Sequence, residues 1–167
     1  MSGFTFNPPN TDADPPAGLP EADVVKADGW WPDVNITGVR QAVDINTKVT
    51  PERLRDAVRQ AIVDVASEPD MVAWRAKHEA AGIAKLEDVP ARVLNVDGIN
   101  DYGHRWTRAI YSVIGADLGE RMLGQGLTSA GADRAEALGS ETLIHQKNTR
   151  HAVRLFLGKP RTRARLI

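Results

Sequence analysis

The sequence predicts an all-α fold of four helices, with an extended arm before them and an extended tail after them. Three observations predict it. Apolar residues recur at helical spacing in three segments, and a fourth, longer segment is closed by the helix-stop signals Gly158 and Pro160. No stretch alternates polar and apolar residues strongly enough to compete as a strand. The chain ends carry proline, acid and base in patterns that a packed core does not use.

The clearest helix opens at Thr50-Pro-Glu-Arg. Thr50 can cap free amides, Pro51 suits the first helical position, and Glu52 favours the positive end of the dipole. Leu54, Ala57, Val58, Ala61, Ile62 and Val65 then form one apolar stripe, opposed by Arg53, Asp56, Arg59, Gln60 and Asp64. Ser67-Glu-Pro-Asp breaks or kinks the pattern. A second helix is expected over Met71–Ala81, ending at Gly82 as a left-handed cap. Val72, Ala76 and Ala80 can share one of its faces, with Trp74 near another.

Residues 82–100 read as a connector with a turn signal at Asp97-Gly98. The third helix is expected over Tyr102–Leu123, with Trp106, Ala109, Ile110, Val113, Leu118 and Met122 on its apolar face. Gly115 and Gly119 inside it either weaken it or let a neighbouring backbone come close. The fourth helix is expected over Ala132–Leu157, closed by Gly158 and Pro160. Its length would be about 39 Å at 1.5 Å per residue. Its middle, His145 to His151, is polar all round, which marks a helix that bridges, projects or lines a wet surface.

These signals divide the chain into an N-terminal arm (1–48), a helical domain (49–158) and a basic tail (159–167). The arm begins acidic and proline-rich: residues 1–29 hold Asp12, Asp14, Glu21, Asp23 and Asp28 against Lys26. It then carries Trp30-Trp31-Pro32-Asp33. Pro32 disfavours helix at Trp31, so two adjacent indoles in an extended segment need a surface to cover. That surface is either this chain's own core or a neighbouring subunit. The tail is the reverse in charge, because Glu141 is the last acidic residue. Lys159, Arg161, Arg163 and Arg165 alternate with other residues before Leu166-Ile167. Period-two alternation suits a strand with one basic edge, able to contact phosphates or to pair with a partner's sheet.

The whole-chain balance hides this asymmetry. The 167 residues carry 21 Lys+Arg against 22 Asp+Glu, a net charge of −1, and no cysteine. That balance argues against a general polycationic DNA binder. The lack of cysteine removes disulfides, thiolate metal sites and cysteine nucleophiles, and fits synthesis in a reducing cytoplasm. No apolar run approaches the ~20 residues that span a bilayer, so no membrane partner is expected. The first residues do not read as a signal peptide.

Enzymatic motifs are missing too. His78-Glu79 begins like HExxH, but Gly82 stands where the second ligand belongs. His145 and His151 fall on poorly matched faces for one metal. Gly124-Gln-Gly has no following lysine for a phosphate loop, Asp44-Ile-Asn lacks the other calcium-loop ligands, and no GxSxG occurs. The expectation is a protein with no cofactor, no metal and no catalytic function.

Several segments, taken in order, resemble the phage head-completion L protein (GPL) family of temperate contractile-tailed phages, over roughly residues 30–167. They are Trp30-Trp31-Pro32-Asp33-Val34-Asn35, Val49-Thr-Pro-Glu-Arg-Leu-Arg-Asp-Ala, and Trp74-Arg75 leading to Gly82 and Leu86-Glu-Asp-Val-Pro90. Arg108-Ala-Ile-Tyr111, Ala116-Asp-Leu-Gly-Glu-Arg121 and the stretch from Thr128 to Glu136 follow. The end, Gly158 to Ile167, is the most specific piece. Gly115 and Gly119 depart from the small or apolar helix formers expected there, and Arg163 and Arg165 make the tail more basic than the pattern requires.

The resemblance implies a structural virion protein that completes DNA-filled heads and protects their DNA from nuclease. By analogy with phage adaptors it implies a four-helix connector/adaptor-like bundle, forming a ring of about twelve copies beneath the portal. Its implied partners are the portal protein, other copies of itself, a tail-terminator or neck protein, and packaged double-stranded DNA in the channel without sequence specificity. Candidate portal-docking residues are Lys159, Arg161, Arg163, Arg165, Leu166 and Ile167. Candidate inter-subunit anchors are Trp30, Trp31, Pro32 and Asp33. Candidate channel-facing residues are Lys147, Arg150 and Arg154. The alternative from a different class is a DNA-binding accessory protein that uses the basic C-terminal region.

Overall fold

Thr50 does cap the helix it precedes: its hydroxyl accepts from the Arg53 amide, and the helix runs Pro51–Ala66. The computed structural model describes residues 23–43, 45, 49–125 and 132–159. In chain order these form β1 (Val24–Val25), β2 (Val34–Asn35), α1 (Ile36–Ala42), α2 (Pro51–Ala66) and α3 (Pro69–Ala80). A 3₁₀ turn (Leu86–Asp88), β3 (Asn95–Val96), β4 (Ile99–Asn100), α4 (Asp101–Gln125) and α5 (Ala132–Phe156) complete them.

The fold is mostly helical, and the four expected helices lie where their patterns placed them, within one or two residues at each end. Two features differ from the all-α, four-helix expectation. A fifth helix, α1, is opened by Asn35, whose side chain accepts from the Gly38 amide at 2.9 Å. Two antiparallel pairs of two-residue strands are also present, β1–β2 and β3–β4.

The largest correction concerns the arm. Residues 24–43 are built into the core instead of standing off from it: Val25, Trp30, Trp31, Val34, Ile36 and Val39 are all buried. The physical reason is apolar density, since this stretch holds enough large side chains to offset the entropy of ordering it. β1 pairs with β2 through Val24–Asn35 and Val25–Val34, and Arg55 of α2 donates to the Val24 carbonyl. Residues 1–22 lie outside the described residues.

α2 buries Leu54, Ala57, Val58, Ala61 and Val65 as one stripe, packed on α4. α3 departs from its expected face. It buries Met71 and turns Trp74, Arg75 and His78 inward, leaving Val72 about half exposed. The rotation follows from Trp74, whose ring buries more surface in the aromatic core than Val72 could.

α4 and α5 form a long antiparallel helical hairpin. The two helical glycines of α4 mark where they touch. A Cβ on Gly115 would stand 2.6 Å from the His145 ring, and one on Gly119 would stand 2.5 Å from the Thr142 hydroxyl. Of the two roles open to these glycines, close approach is therefore the one realised. The polar middle of α5 is half-buried on its α4 side, because the missing side chains of α4 make room for it.

Candidate functional site

Three regions could carry contacts to other molecules: the tryptophan segment, the α4–α5 hairpin, and the neighbourhood of the C-terminal tail.

The tryptophan segment turns sharply at Asp28-Gly29. The Asp28 carboxylate accepts from both the Trp30 and the Trp31 amides at 3.1 Å, and Gly29 takes φ +85°. Arg75 closes this turn from outside, paired with Asp28 and with Glu79 and lying 5.2 Å over the Trp30 ring. Burial alone would raise the Asp28 pKa, but the Arg75 hydrogen bond, the two amides and the Arg75 charge outweigh it and hold it below the ordinary carboxylate value. Trp31 then stacks on Trp106 at 4.3 Å with the planes 8° apart, and Trp30 meets Trp31 and Trp74 edge to face. Phe156 contacts Trp31, Trp74 and Tyr102. One aromatic cluster thus joins the N-terminal segment, α3, α4 and the end of α5.

This arrangement corrects the anchor assignment. Trp30 and Trp31 are 4% and 3% exposed, so the surface they cover is this chain's own core. Their indole N–H groups, like that of Trp106, have no acceptor among the described residues, so the rings contribute by packing. What reaches the surface is Pro32, half-buried, and Asp33, whose carboxylate accepts from the Ala27 amide. They edge a shallow depression of about 360 Å³ shared with Lys85 and Glu87.

On the α4–α5 hairpin, Lys147 and Arg150 are exposed, whereas Arg154 is half-buried with its Nε enclosed. Arg105 donates to the Leu155 carbonyl at 2.7 Å and pairs with Asp101, tying the end of α5 to the start of α4. Gln146 donates to Glu120 across the two helices.

The tail departs from a fixed point. α5 ends at Phe156, Gly158 takes φ +73° against Arg92, and Lys159 reaches Asp70 at the start of α3 at 2.5 Å. Lys159 is therefore tied to its own subunit. Arg161, Arg163, Arg165, Leu166 and Ile167 lie outside the described residues.

Sequence reasoning missed one surface. Val93, Leu94, Val96 and Ile99, in and before the β3–β4 hairpin, are all exposed. The signal was available: Asp97-Gly98 takes φ 51° and 75°, the geometry of a two-residue hairpin turn, flanked by β-branched residues. Among the described residues, no group of three or more potential ligands could hold a metal, and no helix is long and apolar enough to cross a membrane.

Comparison with known proteins gives an outside view of these regions. The phage head completion protein (GPL) family matches residues 25–167. The head completion/stabilization protein of Escherichia phage P2 is 30% identical over 146 residues, covering 87% of this chain and 83% of that protein. No solved structure matches the chain.

Proposed function

The chain belongs to the phage head completion protein family, and we propose that it completes the head as a connector, assembled as a ring beneath the portal. The family's named task is structural, and this chain is not an enzyme. The observation that carries the proposal is the extent of the match. It covers the whole described body from Val25 onward and continues through the basic tail. A head-completing protein has to retain packaged DNA and present a surface to the next component. A ring of about twelve copies, matched to the portal's symmetry, meets both requirements.

In this reading the parts divide the work. The aromatic cluster and the α4–α5 hairpin make a rigid body. Residues 160–167 follow from Lys159, which Asp70 holds in place, and add a basic strand to the portal. Eight extended residues reach about 26 Å. A tail-terminator or neck protein meets the opposite face of the ring. The mature location is the virion.

Particles assembled without this protein should package DNA but lose it to nuclease or fail to accept tails. Particles that keep their DNA and join tails normally contradict the proposal. Deleting residues 160–167 leaves the Lys159–Asp70 pair in place and should give a folded protein that no longer joins heads. Normal attachment by that truncation removes the tail from the portal contact. The competing role, a DNA-binding accessory protein, requires duplex binding by the isolated chain that weakens steeply with salt.

A further inference from the structure

Two exposed patches of this chain complement each other and lie apart in one subunit. The first is the β3–β4 hairpin with the run before it. Val93 is 64% exposed, Leu94 51%, Val96 44% and Ile99 48%. A two-stranded hairpin is marginal in water by itself, yet this one has a fixed base. The Asn100 side chain donates to the Leu86 and Val89 carbonyls at 2.9 Å and accepts from the Gly103 amide at 2.8 Å. Asp101 accepts from the Arg92 amide, and His104 Nε2 lies 3.0 Å from the Val96 carbonyl. The result is a held apolar knob with an exposed carboxylate, Asp97, at its tip.

The second patch is a strip on α5. Leu143 and Ile144 are 56% and 52% exposed, and the exposed residues that follow on the same face are Lys147 and Arg150. Spacings of three and four make these side chains contiguous. By sequence alone the basic pair is a candidate to face DNA in the channel. Two neighbouring aliphatics argue for protein instead, since phosphate offers them nothing to bury against. Among the described residues, no ion pair engages Asp97, Lys147 or Arg150.

The knob sits at the end of the helix pair where Arg105 holds the Leu155 carbonyl. Along α5 the aliphatic end of the strip, Ile144, lies about 17 Å from Leu155 and the basic end, Arg150, about 7.5 Å, so the knob's fixed base keeps its apolar side chains from Leu143 and Ile144 of its own chain. We propose that the two patches meet between copies, the hairpin of one subunit seated on the α5 strip of the next. The contact pairs apolar with apolar and acid with base. Because it joins two different surfaces, it is head-to-tail and can close a ring. It rests on the reading of this protein as a ring subunit and names the contact that makes the ring.

The chain has no cysteine, so introduced ones report without background. Heads assembled with full-length Val96→Cys/Ile144→Cys protein and then oxidised should give a ladder of covalent multimers on non-reducing gels. Either single variant should stay monomeric, and an equal mixture of the two should stop at dimers. Asp97→Cys with Lys147→Cys is the second pair, for use where the first does not assemble. Asp97→Lys should lower assembly at least tenfold, and adding Lys147→Glu and Arg150→Glu should restore it. Dimers from a single variant, or linkage to another head protein, overturn the proposed contact. Multiple copies per head by mass spectrometry with no ladder from either pair also overturn it, while leaving the ring intact. A single copy per head overturns both.

Discussion

Replacing Trp31 with alanine should damage the fold before it damages assembly. The ring is 3% exposed, lies parallel to Trp106 at 4.3 Å and contacts Phe156 at 6.0 Å. Truncating a buried aromatic costs about 3–5 kcal/mol, of which the ring pairing supplies about 0.5–1.5 kcal/mol. Domains hold only about 5–15 kcal/mol in total. With a urea dependence of about 2 kcal/mol per molar, a loss of about 4 kcal/mol lowers the unfolding midpoint by about 2 M. Far-UV circular dichroism reads this without relying on the indole that was removed. Trp31→Phe should recover more than half the loss, because the indole N–H has no acceptor among the described residues. A midpoint shift under about 0.5 M, together with failed assembly, would refute the reasoning and make Trp31 a neighbour's anchor after all.

Three further outcomes follow from particular contacts. Gly115→Ala should destabilise by about 1–3 kcal/mol despite alanine's better helix propensity, because its Cβ meets the His145 ring at 2.6 Å. Thermal melts of Gly115→Ala and of the relieved double variant Gly115→Ala/His145→Ala test this, and a stabilised single variant contradicts it. Asn100→Ala should cost about 2–3 kcal/mol, since it strands the buried Val89 carbonyl and the Gly103 amide, while the Leu86 carbonyl keeps its bond from the Val89 amide; urea titration measures it. The Asp28 turn should weaken in acid. Its folded pKa lies below the ordinary value, so its contribution is complete above about pH 4 and is lost as pH falls through the folded value. Asp28→Asn should flatten that part of the stability–pH curve, and an unchanged acid slope argues against the Arg75 pairing.

The legibility of the fold in the sequence varied with how local its causes are. α2 announced itself because Thr50, Pro51 and the stripe from Leu54 to Val65 act within one helix. The Gly82 and Gly158 helix ends and the Asp97-Gly98 turn were readable for the same reason, each taking the left-handed backbone its residue type favours. Residues 24–43 were not readable, because acid and proline upstream masked a run whose order comes from Trp106, Trp74 and Phe156, distant in sequence. α1 is seven residues with a glycine inside, too short to stand out without the partner it packs on. Gly115 and Gly119 offered two readings, and only the partner helix chose between them.

The candidate contact residues divide the same way. The tryptophan pair was visible as a feature in need of a surface, but not which surface. The row Lys147, Arg150 and Arg154 reads as one basic stripe in sequence, yet the structure exposes the first two beside Leu143 and Ile144 and half-buries the third. The hairpin knob does not stand out in sequence because its strands are two residues long and its exposed valines resemble ordinary connector.

The most direct test of the connector reading is electron microscopy of the neck in completed heads, compared with heads assembled without this protein. The account predicts a ring of density beneath the portal that holds repeated copies of the α4–α5 hairpin and disappears in the deficient heads. The same neck density in both preparations, or the protein found elsewhere on the capsid, would contradict it.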